Sequence, residues 1–265
     1  MSETTGPAVV QDGRVLKLRI ASGKANALDA AAVTEAVRAL RGLATAEQAA
    51  EQGVGAVQLV HEGGNFCTGG DVHSFAGAED RGAFVKGVAD LCHGFIEAYV
   101  GCAVPTVVGA QGWSAGAGMS VVLATDVLLV GTSSKIRPAY PGIGFSPDLG
   151  MSWTLPRIVG LGRARHILLT DQVLSAEDML GLGIASVLVE DADLAAEAAA
   201  TAYKIAQGPT TALGRIKSLV AGTYDRDLAT HLAAEAAAIS ASAAGPEGAE
   251  GLTAFAEKRA PRFHG

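Results

Sequence analysis

Val104-Pro-Thr-Val-Val-Gly-Ala-Gln-Gly-Trp-Ser-Ala-Gly-Ala-Gly118 is the stretch that decides the fold. Within it, Pro105 to Ala110 is a short β-branched run bounded by turn residues and reads as a strand. The glycine cluster Gly112 to Gly118 then opens a helical run, Met119 to Ala124, and Asp126 to Val130 reads as the next strand. Working outward, Arg14 to Ile20 alternates as a half-buried strand does, and Gly55 to Val60 is a further apolar run. Asp29 to Gln52 carries Val33, Val37, Leu40 and Leu43 at helical spacing, with Asp29 placed to cap it, which predicts one amphipathic helix. Strands alternating with helices imply an α/β domain with parallel pairing over 1–190. From Asp191 the texture changes. Residues 191–207, 211–223, 227–244 and 246–259 are Ala-rich and helical, separated by Gly or Gly-Pro punctuation. Such helices bury little area by themselves, so 191–265 is expected to extend the core and contribute subunit contacts.

Composition narrows the function. A length of 265 residues suits one domain with an appendage. Twenty Lys and Arg against 27 Asp and Glu leave a net charge of −7, which argues against nucleic acid or an anionic membrane as the partner. Cys67, Cys92 and Cys102 are scattered and odd in number, which fits a reducing cytosol rather than a disulfide framework. Met1 to Pro7 lacks the basic start and apolar core of a signal peptide, and the longest apolar stretch, Gly116 to Gly131, is broken by Asp126. A cytoplasmic protein is expected.

A second glycine cluster, Gly63-Gly-Asn-Phe-Cys-Thr-Gly-Gly-Asp71, also follows a strand. Turns of this kind free backbone N–H groups to face an anion or a developing oxyanion. Neither cluster spells the dinucleotide fingerprint, and Gly23-Lys24 lacks the rest of a P-loop. His61, Cys67, Asp71 and His73 have no metal-ligand spacing, so no metal is expected. One competing reading stands: Gly112-Trp-Ser-Ala-Gly116 matches the nucleophile motif of serine hydrolases, with Asp148 and then His166 or His231 following Ser114 in the right order. Both histidines fall in helical runs, where a triad base is out of place.

The two clusters with their flanks resemble the enoyl-CoA hydratase/isomerase (crotonase) superfamily. Lys24-Ala-Asn-Ala-Leu28 resembles its early loop, Asn65 to Val72 and Val104 to Gly118 with Thr125-Asp126 its two signatures. Leu155 to Ala164, Leu174 to Gly183 and Phe255 to Arg259 follow in the family's order. The resemblance implies a spiral of β-β-α turns, a C-terminal helical region used for trimerisation, a trimer or dimer of trimers, and an acyl-CoA thioester as substrate with no separate cofactor. It also implies a thioester enolate held by the N–H groups of Gly70 and Ala117. The residue reading agrees, since each sits where a glycine-rich turn leaves a donor unpaired. Contacts to the ligand are implied at Lys24, Ala25, Ala27, Gly69, Asp71, Gly116, Ser120 and Tyr140, and Phe255 and Lys258 are placed to reach the adenosine of a neighbouring subunit.

The chain departs from the hydratases at the two glutamates they use. These positions hold Ser120 and Tyr140, neither of which is a general base at neutral pH without an activating partner. Asp148, in Gly144-Phe-Ser-Pro-Asp-Leu-Gly150, stands where several isomerases of the superfamily carry their aspartate. The alternative for Asp148 is a turn or helix cap after Pro147. Asp71 is expected to bond backbone near the oxyanion loop, His73 and His93 to lie at the surface or in packing, and Trp113 and Trp153 to line the acyl pocket or the core. The preferred activity is double-bond isomerisation by Asp148. Hydration or decarboxylation, a hydrolase at Ser114, and a non-catalytic acyl-CoA-binding protein are the alternatives.

Overall fold

The computed structural model describes residues 6–264. In chain order its first elements are β1 (Val9–Asp12), β2 (Val15–Leu18), β3 (Ala21–Ser22), β4 (Ala27–Leu28), α1 (Ala30–Arg41), α2 (Ala46–Glu51) and β5 (Ala56–Leu59). Then come α3 (Val72–Gly77), α4 (Arg81–Gly101), β6 (Thr106–Ala110), β7 (Trp113–Ala115), α5 (Ala117–Leu123), β8 (Val127–Gly131) and β9 (Lys135–Arg137). A 3-10 turn at Pro141–Ile143 leads to α6 (Met151–Val159), α7 (Leu161–Leu169), β10 (Leu174–Ser175), α8 (Ala176–Gly181) and β11 (Val187–Val189). The last helices are α9 (Asp191–Ala206), α10 (Thr210–Ala221), α11 (Leu228–Ala244) and α12 (Pro246–Ala256).

Six strands form the main sheet in the order β1-β2-β5-β6-β8-β11. The β1–β2 hairpin is antiparallel and the remaining neighbours are parallel, as the alternating texture predicts. All four residues of β5 are buried, because both faces of the sheet are covered. Val57 and Leu59 join the main core with Val33 and Leu40 of α1 and with Phe95 and Tyr99 of α4. Ala56 faces the other way, with Val15, Val107 and Leu129, onto Leu194, Ala198, Ala202 and Ala206 of α9. Each Val or Leu buried in this way stabilises the fold by about 2 kcal/mol, which makes the central strands a rigid frame for the turns at their ends. A smaller sheet, β10-β9-β7, stands beside them.

Two expectations need correction. The single helix from Asp29 to Gln52 is two. Asp29 caps α1, its carboxylate accepting the N–H groups of Ala31 and Ala32. The chain then breaks at Gly42, and Thr45 restarts a helix through a reciprocal capping box with Gln48. The Ala-rich helices are also not uniformly an outward extension. Alanines four residues apart let α9 lie flat on its own sheet, where a Cβ added at Gly109 would come within 2.7 Å of the Ala198 Cβ. Helix α10 is tied down by Lys217, whose ammonium pairs with Asp126 at 2.9 Å and donates to the Val104 carbonyl. Helix α11 buries no residue in this chain. No helix among the described residues is long and apolar enough to cross a membrane.

Candidate active site

The first signature runs alongside β7. Cys67 N–H donates to the Trp113 carbonyl, and the Cys67 carbonyl accepts from Ala115 N–H at 2.9 Å. The segment then crosses to β4, where Thr68 N–H donates to the Asn26 carbonyl and Leu28 N–H to the Gly69 carbonyl. Gly69 turns the chain at φ 99°. That conformation suits glycine, and it leaves the next amide, Gly70 N–H, with no acceptor among the described residues.

The second signature ends β7 at Ala115, turns at Gly116 with φ 53° and ψ −122°, and opens α5 at Ala117. As the first residue of a helix, Ala117 has no intrahelical acceptor for its N–H. Among the described residues it has no other acceptor either. Gly118 explains how closely the two signatures approach: a Cβ there would lie 2.1 Å from the Cys67 carbonyl oxygen. A Cβ on Gly69 would lie 3.7 Å from the Ala117 nitrogen, so the two free amides belong to one cleft. Both line a cavity of about 690 Å³.

The loop from Tyr140 to Leu149 also lines this cavity, through Tyr140 and Ile143 to Leu149. Its turn is closed by Phe145 N–H donating to the Tyr140 carbonyl, which brings Asp148 back beside Tyr140. The Tyr140 hydroxyl donates to Asp148 Oδ1 at 2.5 Å. Helix α6 takes Gly150 as its cap, without any side-chain bond, so the Asp148 carboxylate is not spent on capping. Burial, and then the nearby Asp148 charge, hold the Tyr140 phenol well above its usual pKa. The same two causes push the Cys92 thiol, also on the cavity wall, up to about 12. Tyr140 and Cys92 are therefore both neutral, and Asp148 is the one carboxylate among the cavity-lining residues.

Several expected site residues lie elsewhere. Ser120 is buried and does not reach the cavity; its hydroxyl donates to the Asp148 carbonyl and so anchors the loop to α5. Asp71 caps α3, accepting from His73 and Ser74, which lowers its carboxyl pKa by hydrogen bonding. It does not line the cavity. Lys24 and Ala25 are exposed in the β3–β4 connection, where the Ala25 carbonyl accepts the Thr68 hydroxyl, and Ala27 bridges to Gly69. Phe255 and Lys258 are exposed near the end of α12, away from this chain's own cavity. Trp113 and Trp153 line neither the cavity nor the core. Each is partly exposed, with Lys135 and Arg157 respectively over its ring. His73 and His93 are exposed, as expected.

The hydrolase arrangement is absent. Ser114 lies buried within β7 rather than on a turn, His166 is exposed on α7, and His231 faces Glu235 on α11. Asp148 is bonded to Tyr140, not to a histidine. The sequence reading also missed the apolar wall that α3 and α4 give the cavity beside Phe145, formed by Val72 and Phe75 of α3 and Val85, Val88 and Ala89 of α4. Phe75 stacks on Phe145 with ring centroids 6.4 Å apart.

The profile of one protein family, described as "Enoyl-CoA hydratase/isomerase", matches residues 11–265. The chain belongs to that family. It is an acyl-CoA enzyme of the crotonase fold. A "probable enoyl-CoA hydratase" of Rhodobacter capsulatus is 31% identical over 210 residues, covering 79% of this chain and 81% of the relative. The 1,2-epoxyphenylacetyl-CoA isomerase of Escherichia coli is 34% identical over 161 residues, 61% of this chain and 62% of the relative. Among solved structures, an enoyl-CoA hydratase from Polaromonas superposes with a TM-score of 0.88 at 25% identity, covering 97% of this chain and 98% of that one.

Proposed function

We propose that the enzyme moves the double bond of an enoyl-CoA thioester, with Asp148 as the only base. The observation that carries this reading is that two free amides and a single carboxylate line one cavity. The thioester carbonyl accepts from Gly70 and Ala117. Asp148 removes a proton from C2, and the electron pair shifts onto the carbonyl oxygen as a dienolate. The charge there meets two fixed donors, each worth about 3 kcal/mol of barrier when such a donor is removed. The protonated Asp148 then returns the proton to C4, the double bond settles at C2–C3, and the carboxylate is regenerated. The neutral Tyr140 hydroxyl donates to the Asp148 carboxylate before the first step and after the second, and so fixes the position of the base.

Hydration asks for more. Water must be activated at C3 while a proton reaches C2, and the serine and tyrosine standing at the glutamate positions supply neither function: Ser120 is turned away and Tyr140 keeps its proton. One of the named relatives is an isomerase, although hydratase names are common among them. Lys24 is the proposed contact of this subunit with the anionic end of coenzyme A, and Phe255 and Lys258 that of a neighbour in a trimer. The apolar side chains exposed on the C-terminal helices, Ile216, Val220, Leu228, Leu232 and Ile239, support such an assembly. The cytosol is the proposed compartment, which suits three free, buried cysteines.

The test is a comparison of two substrates of equal chain length on the purified enzyme. Conversion of a 3-enoyl-CoA to the conjugated isomer is expected to exceed hydration of the 2-enoyl-CoA by at least about 100-fold, the contribution of one missing acid–base group. Faster hydration would overturn the assignment.

A further inference from the structure

Among the described residues, the cavity is lined by one charged side chain apart from Asp148, that of Arg81. It belongs to a stripe of α4 that faces the cavity: Arg81, Val85, Val88, Ala89 and Cys92. These positions fall on one helical face. At the inner end, Cys92 feels the charge of Asp148 and so marks the reaction centre. Arg81 stands 11 residues earlier on the same helix. That is about 16 Å along the axis at the usual rise per residue. Between the two ends the stripe offers only apolar side chains. A ligand lying along it passes over hydrocarbon and then meets a guanidinium.

That guanidinium has no partner of its own. Among the described residues Arg81 makes no salt bridge and no side-chain hydrogen bond, a state it shares with Arg38, Arg41, Arg163, Arg165 and Arg226, but of these arginines it alone lines the cavity. The adjacent Asp80 accepts the Ala83 N–H as the cap of α4. In a chain of net charge −7, a cation kept unpaired on a cavity wall is a specific feature. Its planar fork matches a carboxylate through two parallel hydrogen bonds.

We propose that Arg81 binds a carboxylate at the distal end of the acyl chain, so that the enzyme's substrate is the coenzyme A thioester of a dicarboxylic acid. This rests on the cavity being the acyl-CoA site, not on the isomerase chemistry. Leu28 and Thr68 of the cavity lining adjoin the Lys24–Ala25 loop where coenzyme A is proposed to lie, and the α4 stripe is a separate part of that lining, which assigns the stripe to the acyl group.

The experiment measures binding calorimetrically with saturated, unreactive thioesters of one chain length, ending either in a carboxylate or in a methyl group. Acetyl-CoA serves as the reference. The wild type is expected to favour the carboxylate ligand by roughly tenfold or more, the scale of one charge-assisted pair. Arg81→Met removes that preference, Arg81→Lys keeps part of it, and raised salt narrows it. Equal binding of both ligands by the wild type would overturn the proposal. So would Arg81→Met weakening acetyl-CoA as much as the carboxylate ligand, since Arg81 would then be reading the phosphates of coenzyme A. Failure of every thioester to bind would overturn the reading of the cavity itself, and this proposal with it. Because none of these ligands turns over, a failed isomerase assay would leave the result standing.

Discussion

On one side of the cavity the polar groups are main-chain amides, at Gly70 and Ala117, fixed by strand pairing and by contact between Gly118 and Cys67. On the other they are side chains, Asp148 and Tyr140, carried by a loop that Ser120 ties to α5. The first side depends on backbone position and is nearly indifferent to which side chain is present, provided the glycines stay small. The second depends on side-chain identity. A scaffold built in this way keeps its amide half constant while the side chains of one loop are free to change.

Replacing the base should have the largest effect. Asp148→Asn is expected to lower isomerase turnover by about 10² to 10⁴-fold while leaving thioester affinity largely intact, as steady-state kinetics and calorimetry would show. A loss confined to KM would move Asp148 from chemistry to binding. On the amide side, Gly118→Ala should be next. Its Cβ would meet backbone at Cys67, so α5 must shift and carry the Ala117 amide with it. Turnover should fall about 100-fold from this displacement, with stability lower by about 1–3 kcal/mol. Wild-type turnover in this variant would mean that the amide does not need its position.

Tyr140→Phe should cost roughly tenfold in turnover, the scale of one hydrogen bond to a charged group. Its pH signature has a defined sign. Burial and the Asp148 charge raise the phenol pKa in the folded protein. The resulting stability is fully present below the unfolded value of about 10 and is lost as pH rises beyond it. The variant should therefore lose less thermal stability than the wild type between pH 9 and 11. The smallest effect belongs to Asp71→Ala, which removes a cap from α3 at about 1 kcal/mol. That lowers the melting temperature by a few degrees. Collapse of coenzyme A binding in this variant would place Asp71 in the site after all.

The strands at 15–18, 56–59, 106–110 and 127–131 were legible because short β-branched runs bounded by turns have few other readings. The two free amides were legible because the glycines that free an amide are themselves visible. Helix α4 was not. It packs on α1 with one face and lines the cavity with the other, so it is apolar on two sides and shows no clean period. Arg81 and its stripe were missed with it. The inward turn of Ser120 and the exposure of Trp113 were equally hidden, since both follow from how α5 and β7 pack rather than from any local pattern.

Exchange of the C2 protons of a saturated acyl-CoA in deuterium oxide, followed by NMR, tests the central claim most directly, because it reads enolate formation before any product choice. The wild-type enzyme is expected to exchange C2 hydrogen and Asp148→Asn to lose that exchange while still binding the ligand. Undiminished exchange in Asp148→Asn would show that another group removes the proton and would contradict the account.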